Sequence, residues 1–451
     1  MGERQAKALA YVIAVDMGYG HERAAFALRH LAPKKTYIVA NTYEGIPEKE
    51  KRLWSTGRGL YEAVSRFKRV PLVGSFVFNI MDELQEIPPF YPRRDLSRPS
   101  LQVRQTYALI KNQNLCQDLI SKLAKKPLPL VCTFFTPAFA AEEYGYPGDI
   151  YLVICDADMA RAWVPYAPKK SRIKYFAPTG RVAERLRLYG VRPENIFLTG
   201  FPMPVDNIGG LDAAIVEEDI HRRMCKLDPE GVFASSMQKL LVARFGKSFC
   251  KFDPKVYRRP PSITFAVGGA GAQREMIGLA LRSLAERIRG NEIAVNLVAG
   301  THGDAAEYFE REIRLNGLVG ARQKGMVRVF HETSRLEYFT AFAKLMRETD
   351  ILWTKPSELS FTTGLGIPII MAPTVGAQED FNRKWLMQIG GGIDALEMQY
   401  MDEWLFDWIT SGALARMAWN GYINAPTHGA YRIESILKGE AVNLPSLPLV
   451  V

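Results

Sequence analysis

The chain has 451 residues, 47% of them hydrophobic and 24% charged, with a formal net charge of +10. That length supplies roughly two or three domains, and the composition excludes a disordered or collagen-like chain. Five cysteines, Cys116, Cys132, Cys155, Cys225 and Cys250, are odd in number and far apart, which suggests neither a disulfide framework nor a zinc site and fits a reducing compartment.

The charge is unevenly spread. Residues 1–205 hold 30 Lys and Arg against 19 Asp and Glu, and the remainder 28 against 29. A basic half beside a near-neutral one suits an anionic partner such as a membrane surface or a phosphorylated acceptor, or is simply solubilising. No zinc-finger spacing, RNA-recognition aromatic motif or basic zipper points to nucleic acid. The opening residues lack a cleavage pattern, and no run approaches the ~20 apolar residues of a membrane span. A cytoplasmic protein is expected, free or peripheral at the inner face of the membrane.

In chain order, short apolar runs bounded by Gly, Pro, Asn or Asp predict strands at Tyr11–Val15, Thr36–Ala40, Leu128–Phe134, Ile150–Cys155, Ile173–Phe176 and Ile196–Leu198. Helical patterns at Glu22–Leu31 and Val182–Leu188 lie between them. The first strand runs into Asp16-Met17-Gly18-Tyr19-Gly20-His21 and then a helix. Glycines such as Gly18 and Gly20 let backbone approach a ligand, and the helix start favours an anion. His21 is placed to act as a general base, or it merely caps an ordinary strand–helix turn.

From Val205 to Pro261 the rhythm breaks. Charged amphipathic helices at Glu217–Lys226 and Gln238–Lys247 precede Arg258-Arg259-Pro260-Pro261, which predicts a helical insertion and linker over 206–261. Strands resume at Ile263–Val267, Ile293–Val298, Val327–Phe330, Ile351–Trp353 and Pro368–Met371. The first of these opens on Val267-Gly268-Gly269-Ala270-Gly271. That turn either cradles a phosphate through Gly268, Gly269, Gly271 and the following helix dipole, or is a plain tight turn. It is neither a dinucleotide fingerprint nor a Walker loop.

The richest segment runs from Trp353 to Asn382. It reads as strand, polar turn, short helix, strand, polar turn, and sets Lys355, Ser357, Glu358, Gln378, Glu379 and Asn382 behind consecutive apolar runs. In an open parallel sheet such turns lie at the carboxyl ends of the strands, where ligands bind. The carboxylates and amides suit sugar hydroxyls and Lys355 a phosphate; in the plainer reading Glu358 is a helix cap and Gln378 to Asn382 an exposed helix start. Met401 to Leu437 is helical in pattern. Strand and helix alternate throughout, which predicts an α/β protein of two doubly wound, Rossmann-like domains. The expected divisions are 1–205, the insertion 206–261, a second domain 262–425, and a carboxyl-terminal helix and tail 426–451 that crosses back to the first domain.

These motifs together resemble the two-domain GT-B glycosyltransferases. They are closest to the branch with monogalactosyldiacylglycerol synthases, processive diacylglycerol glucosyltransferases and the N-acetylglucosaminyltransferase of lipid II synthesis. The likeness rests on Gly18 to His21, on Val153-Ile154-Cys155-Asp156 with Trp163, and on Gly190-Val191 followed by Thr199-Gly200-Phe201-Pro202. It continues with Gly268 to Gly271, Thr354-Lys355, Gly366-Ile367-Pro368, Gly376-Ala377-Gln378-Glu379-Asp380-Phe381-Asn382 and the cluster Gly390 to Gly392. One position departs. The family's ribose-binding Glu, about seven residues before that Pro, falls on Phe361, and the nearest carboxylate is Glu358. Either Glu358 takes over, or the donor is held differently, or no nucleotide binds.

The resemblance implies two domains facing a cleft and inverting, metal-independent transfer of a sugar from a nucleoside-diphosphate donor, UDP-sugar being the family's usual one. The acceptor would be a lipid or another membrane-associated or phosphorylated molecule, and no cofactor is called for. His21 would be the base, with Asp156 orienting it or competing for the role. Gly268, Gly269, Gly271, Lys355, Ser357, Glu358, Gln378, Glu379 and Asn382 would bind the donor, and Gly18 and Gly20 would shape the acceptor-side turn. Asp156-Ala157-Asp158 only superficially resembles a metal motif, and no metal site is expected. The alternatives are a sugar-nucleotide epimerase and a non-catalytic or divergent sugar- or nucleotide-binding protein.

Overall fold

A computed structural model of the chain describes residues 8–55, 87–247, 259–266, 273–357, 360–374, 377–441 and 444. Two compact units emerge. One comprises Met1–Met203, Val375–Phe381 and His428–Val451, the other Pro204–Thr374 and Asn382–Thr427.

The first unit is built on a parallel sheet of β1 (Tyr11–Ala14), β2 (Ile38–Val39), β3 (Leu130–Cys132), β4 (Ile150–Val153), β5 (Lys174–Ala177) and β6 (Ile196–Leu198), in the spatial order β2-β1-β3-β4-β5-β6. Every residue of β3 and β4 is buried, because a parallel sheet is covered on both faces and its strands read as unbroken apolar runs. The covering helices include α1 (Tyr19–Ala27), α2 (Leu101–Gln113), α3 (Phe135–Glu143) and α4 (Gly180–Leu188). Ser100 and Thr179 cap α2 and α4 by accepting from the amides of Val103 and Val182, each worth about 1 kcal/mol. The core gathers Ile13, Leu130, Phe139, Leu152, Tyr175 and Leu186.

The second unit repeats the plan. Its strands β7 (Ser262–Ala266), β8 (Ala294–Gly300), β9 (Val327–His331), β10 (Ile351–Thr354), β11 (Ile369–Met371) and β12 (Gly392–Asp394) are parallel in the order β12-β11-β10-β7-β8-β9. β7, β10 and β11 are buried throughout. Trp353 and Phe265 pack in the core with ring centres 5.5 Å apart and planes tilted by 49°, and burying each side chain contributes roughly 1.5–3 kcal/mol.

Helix α5 (Ala214–Lys226), within the segment expected to form an insertion, sends Ile220 and Met224 into this core. Its Arg223 is 1% exposed and donates to the carbonyls of Thr349, Leu365 and Gly366, each at 2.9 Å. One guanidinium thereby ties the entry of β10 to the turn before β11. Gly366, at φ 65°, lies so close that a Cβ there would meet Ile220 at 2.5 Å. Part of the charge that sets α5 apart in sequence thus serves docking: Arg223 donates to main-chain oxygens, and Asp219 and Lys226 pair with Arg347 and Asp350.

The two doubly wound α/β units agree with the expected fold class. Eleven predicted strands appear as β1 to β11. β12, a three-residue Gly-Ile-Asp strand, is too short and too polar to show as an apolar run. The pattern from Met401 onward resolves into helices Met401–Thr410, Ala413–Asn424 and Gly429–Lys438. Among the described residues no helix is long and apolar enough to cross a membrane.

Candidate functional site

In a doubly wound sheet, ligands bind outside the carboxyl ends of the strands where the chain reverses its direction of travel across the sheet. The first unit has that reversal between β1 and β3, which are neighbours. His21 stands in the first turn of α1, directly after β1, behind Gly18 at φ 113° and ψ 171°. No L side chain adopts that conformation without strain, so Gly18 is what lets the chain turn from strand into helix there. Gly20 lies inside the helix.

The imidazole of His21 packs edge-on to Phe134, 5.0 Å between ring centres, and 5.5 Å from Trp163. Phe134 follows β3 and Trp163 follows β4. The ring is partly buried, and its Nδ1 is buried without a well-formed hydrogen bond among the described residues. Burial lowers the His21 pKa from 6.5 to about 4, while the Thr133 backbone works weakly in the opposite sense. The ring is therefore neutral at pH 7, with a lone pair free to take a proton. No carboxylate figures among the groups that set this affinity. Asp156 leaves β4, two strand positions from β1, an offset of about 10 Å, and is only partly buried. Its neighbour Asp158 is committed elsewhere: the carboxylate receives Arg185 Nε at 2.8 Å, Arg185 Nη2 at 2.9 Å and Arg181 Nε at 2.7 Å. Among the described residues no group of three or more His, Cys, Asp or Glu could hold a metal ion.

In the second unit the reversal lies between β7 and β10, again neighbours. Lys355 is the first residue beyond β10 and is 9% exposed. Its ammonium has no hydrogen bond or ion pair among the described residues. Most buried cations are paired, and Asp158 shows how this chain meets that need elsewhere. Ser357 follows, partly exposed. Gln273 occupies the N-cap position of helix α6 (Arg274–Ser283) without a capping side-chain hydrogen bond and is 5% exposed. Its Nε2 donates to the Pro373 carbonyl at 3.4 Å, and its buried Oε1 has no partner among the described residues. Gln273 was not anticipated; the available signal was a hydrogen-bonding side chain immediately after a glycine turn and before a helix.

Gly268, Gly269, Gly271 and Glu358 lie outside the described residues. Gln378, Glu379 and Asn382 belong to helix α7 (Ala377–Ile389) rather than to a free turn. Gln378 and Glu379, in its first turn, are partly exposed, whereas Asn382 is fully buried. Within the first unit the fold thus brings His21, Phe134 and Trp163 together; within the second, Lys355 and Gln273 come from adjoining strand exits.

No family model matches the chain, and no curated protein does. Solved structures do match. MnaA from S. aureus in complex with UDP is 12% identical, covering 97% of this chain and 99% of its own, with a TM-score of 0.47. The UDP-GlcNAc 2-epimerase from Neisseria meningitidis bound to UDP-GlcNAc is 14% identical over 95% and 99%, also at 0.47. MurG from Acinetobacter baumannii is 12% identical over 95% and 99%, at 0.42. Likenesses this distant leave substrate and reaction to be argued from the residues themselves.

Proposed function

We propose that the chain is an inverting, metal-independent glycosyltransferase that moves a sugar from a nucleoside-diphosphate donor to a lipid or other membrane-associated acceptor. The observation that supports this reading most is Lys355, a lysine 9% exposed and without an ion pair among the described residues, at the carboxyl edge of the second sheet beside the strand reversal.

In this reading the acceptor hydroxyl attacks the anomeric carbon from the face opposite the diphosphate. The new carbon–oxygen bond forms as the bond to the phosphate oxygen breaks, and the configuration inverts. His21, neutral at pH 7, takes the hydroxyl proton, with Asp156 as the competing base. The departing diphosphate gathers negative charge, which the Lys355 ammonium and the amino terminus of α6 neutralise. Ser357, Gln378 and Glu379 hold donor hydroxyls. The basic first half, with exposed Tyr91, Arg93 and Arg94, suits an acceptor presented on an anionic surface.

The test is binding followed by turnover. One nucleoside diphosphate among UDP, GDP, ADP and dTDP should raise the melting temperature, and Glu379→Ala should weaken binding of its sugar ester by about tenfold. The reading fails if no diphosphate shifts the melt and Glu379→Ala changes nothing. Interconversion of the donor sugar with no acceptor present would instead mark an epimerase.

A further inference from the structure

At adjoining strand exits the second unit holds an acceptor and a lysine that have no partner among the described residues. In register, Ala266 of β7, Thr354 of β10 and Met371 of β11 stand side by side. Gln273 follows β7, yet its side-chain amide reaches Pro373, two residues beyond β11. The helix start that carries Gln273 therefore extends across the exit of β10, from which Lys355 emerges. A carbonyl acceptor can pair only with the amide nitrogen, so Nε2 faces Pro373 and Oε1 turns elsewhere. That oxygen is buried and unpartnered among the described residues. Buried acceptors are almost always satisfied, and an orphan calls for a specific cause.

The surrounding charge narrows what such an acceptor is for. An amide oxygen repels an anion and attracts a hydroxyl hydrogen, whereas the helix amino terminus that carries it and the Lys355 ammonium of the adjoining strand exit attract an anion. A ligand that satisfies all three carries phosphate and hydroxyl next to each other. Resting on the donor-binding reading above, we infer that Gln273 is a specificity-determining contact. Its Oε1 accepts a hydrogen bond from a sugar-ring hydroxyl flanking the diphosphate, either the ribose or the transferred sugar. It thereby supplies an acceptor to a chain whose sequence has Phe361 where the resembled family has its ribose-binding carboxylate.

Titration calorimetry with Gln273→Met tests this, using the nucleoside diphosphate that binds best, its glucose ester, and pyrophosphate as the probe without hydroxyls. Gln273→Met should weaken the glucose ester about tenfold and leave pyrophosphate within twofold of the wild type. Equal weakening of the free nucleoside diphosphate assigns the contact to the ribose, and its sparing assigns it to the transferred sugar. Gln273→Glu, which sets a carboxylate beside the diphosphate, should weaken all three probes. The inference is overturned if Gln273→Met binds the ester like the wild type. It is equally overturned if the ester and pyrophosphate lose affinity by the same factor, which is what a purely structural bond to Pro373 would produce. If the wild type binds none of the probes, the donor-binding reading itself falls.

Discussion

The two strand reversals share a backbone plan and differ in chemistry. In the first unit the turn after β1 presents a neutral imidazole against Phe134 and Trp163. In the second, the turn after β10 presents Lys355, 9% exposed, and the adjoining strand exit carries Gln273, whose Oε1 is buried without a partner among the described residues. The first suits proton transfer, since aromatic walls keep the ring uncharged and able to accept. The second suits an anion, since a lysine with no ion pair among the described residues is stabilised by an anion that arrives. The comparison teaches that one architecture carries opposite electrostatics according to which side chains follow the strands.

The largest effect expected from disturbing this contrast is kinetic. His21→Asn should lower transfer by about a hundredfold or more while leaving diphosphate affinity unchanged in calorimetry; full activity would remove His21 from the chemistry. The same ring predicts a pH profile. Because burial lowers its pKa from 6.5 to about 4, activity should persist well below pH 6.5 and fall only near pH 4. Stability follows the same sign: the contribution of the neutral ring is complete above pH 6.5 and is lost as pH falls through about 4. His21→Asn should flatten that part of the melting profile.

A smaller but sharper effect is expected on the other side. Lys355→Met should weaken pyrophosphate and nucleoside diphosphate alike, by about 10- to 100-fold, and should not lower the melting temperature of the ligand-free protein, because the ammonium has no ion pair among the described residues to lose. A lower melting temperature would mean that the ammonium is paired after all. Smallest is the backbone term. Gly18→Ala should cost about 1–2 kcal/mol in denaturant unfolding, since the conformation at φ 113° penalises any Cβ even with open space around it. Gly20→Ala, inside α1, should instead be neutral or mildly stabilising.

Much of this fold can be read from the chain because buried parallel strands are spelled as apolar runs. Ile150-Tyr151-Leu152-Val153 and Ile351-Leu352-Trp353 are visible without coordinates. Helix α7 reads as a turn because Gln378, Glu379 and Asp380 open it, and its buried Trp385, Leu386 and Ile389 come only later. Lys355 can be singled out by its place after an apolar run, but its lack of an ion pair among the described residues is a property of the packed unit. The depressed basicity of His21 is equally hidden, since Phe134 and Trp163 arrive from segments more than a hundred residues away. Gln273 gains its meaning only from Pro373, which belongs to a different strand exit.

Helix Gly429–Lys438 belongs to the first unit, and its first residue sits so near the Phe201 carbonyl that a Cβ would approach it to 2.1 Å. Only glycine fits that seat. On the ribosome, the first unit must therefore wait for on the order of 200 further residues before its last helix can close over Phe201, a delay of tens of seconds at roughly 5–20 residues per second. The second unit, whose residues all precede that helix, can complete its fold before the first does, reversing the order in which the two begin.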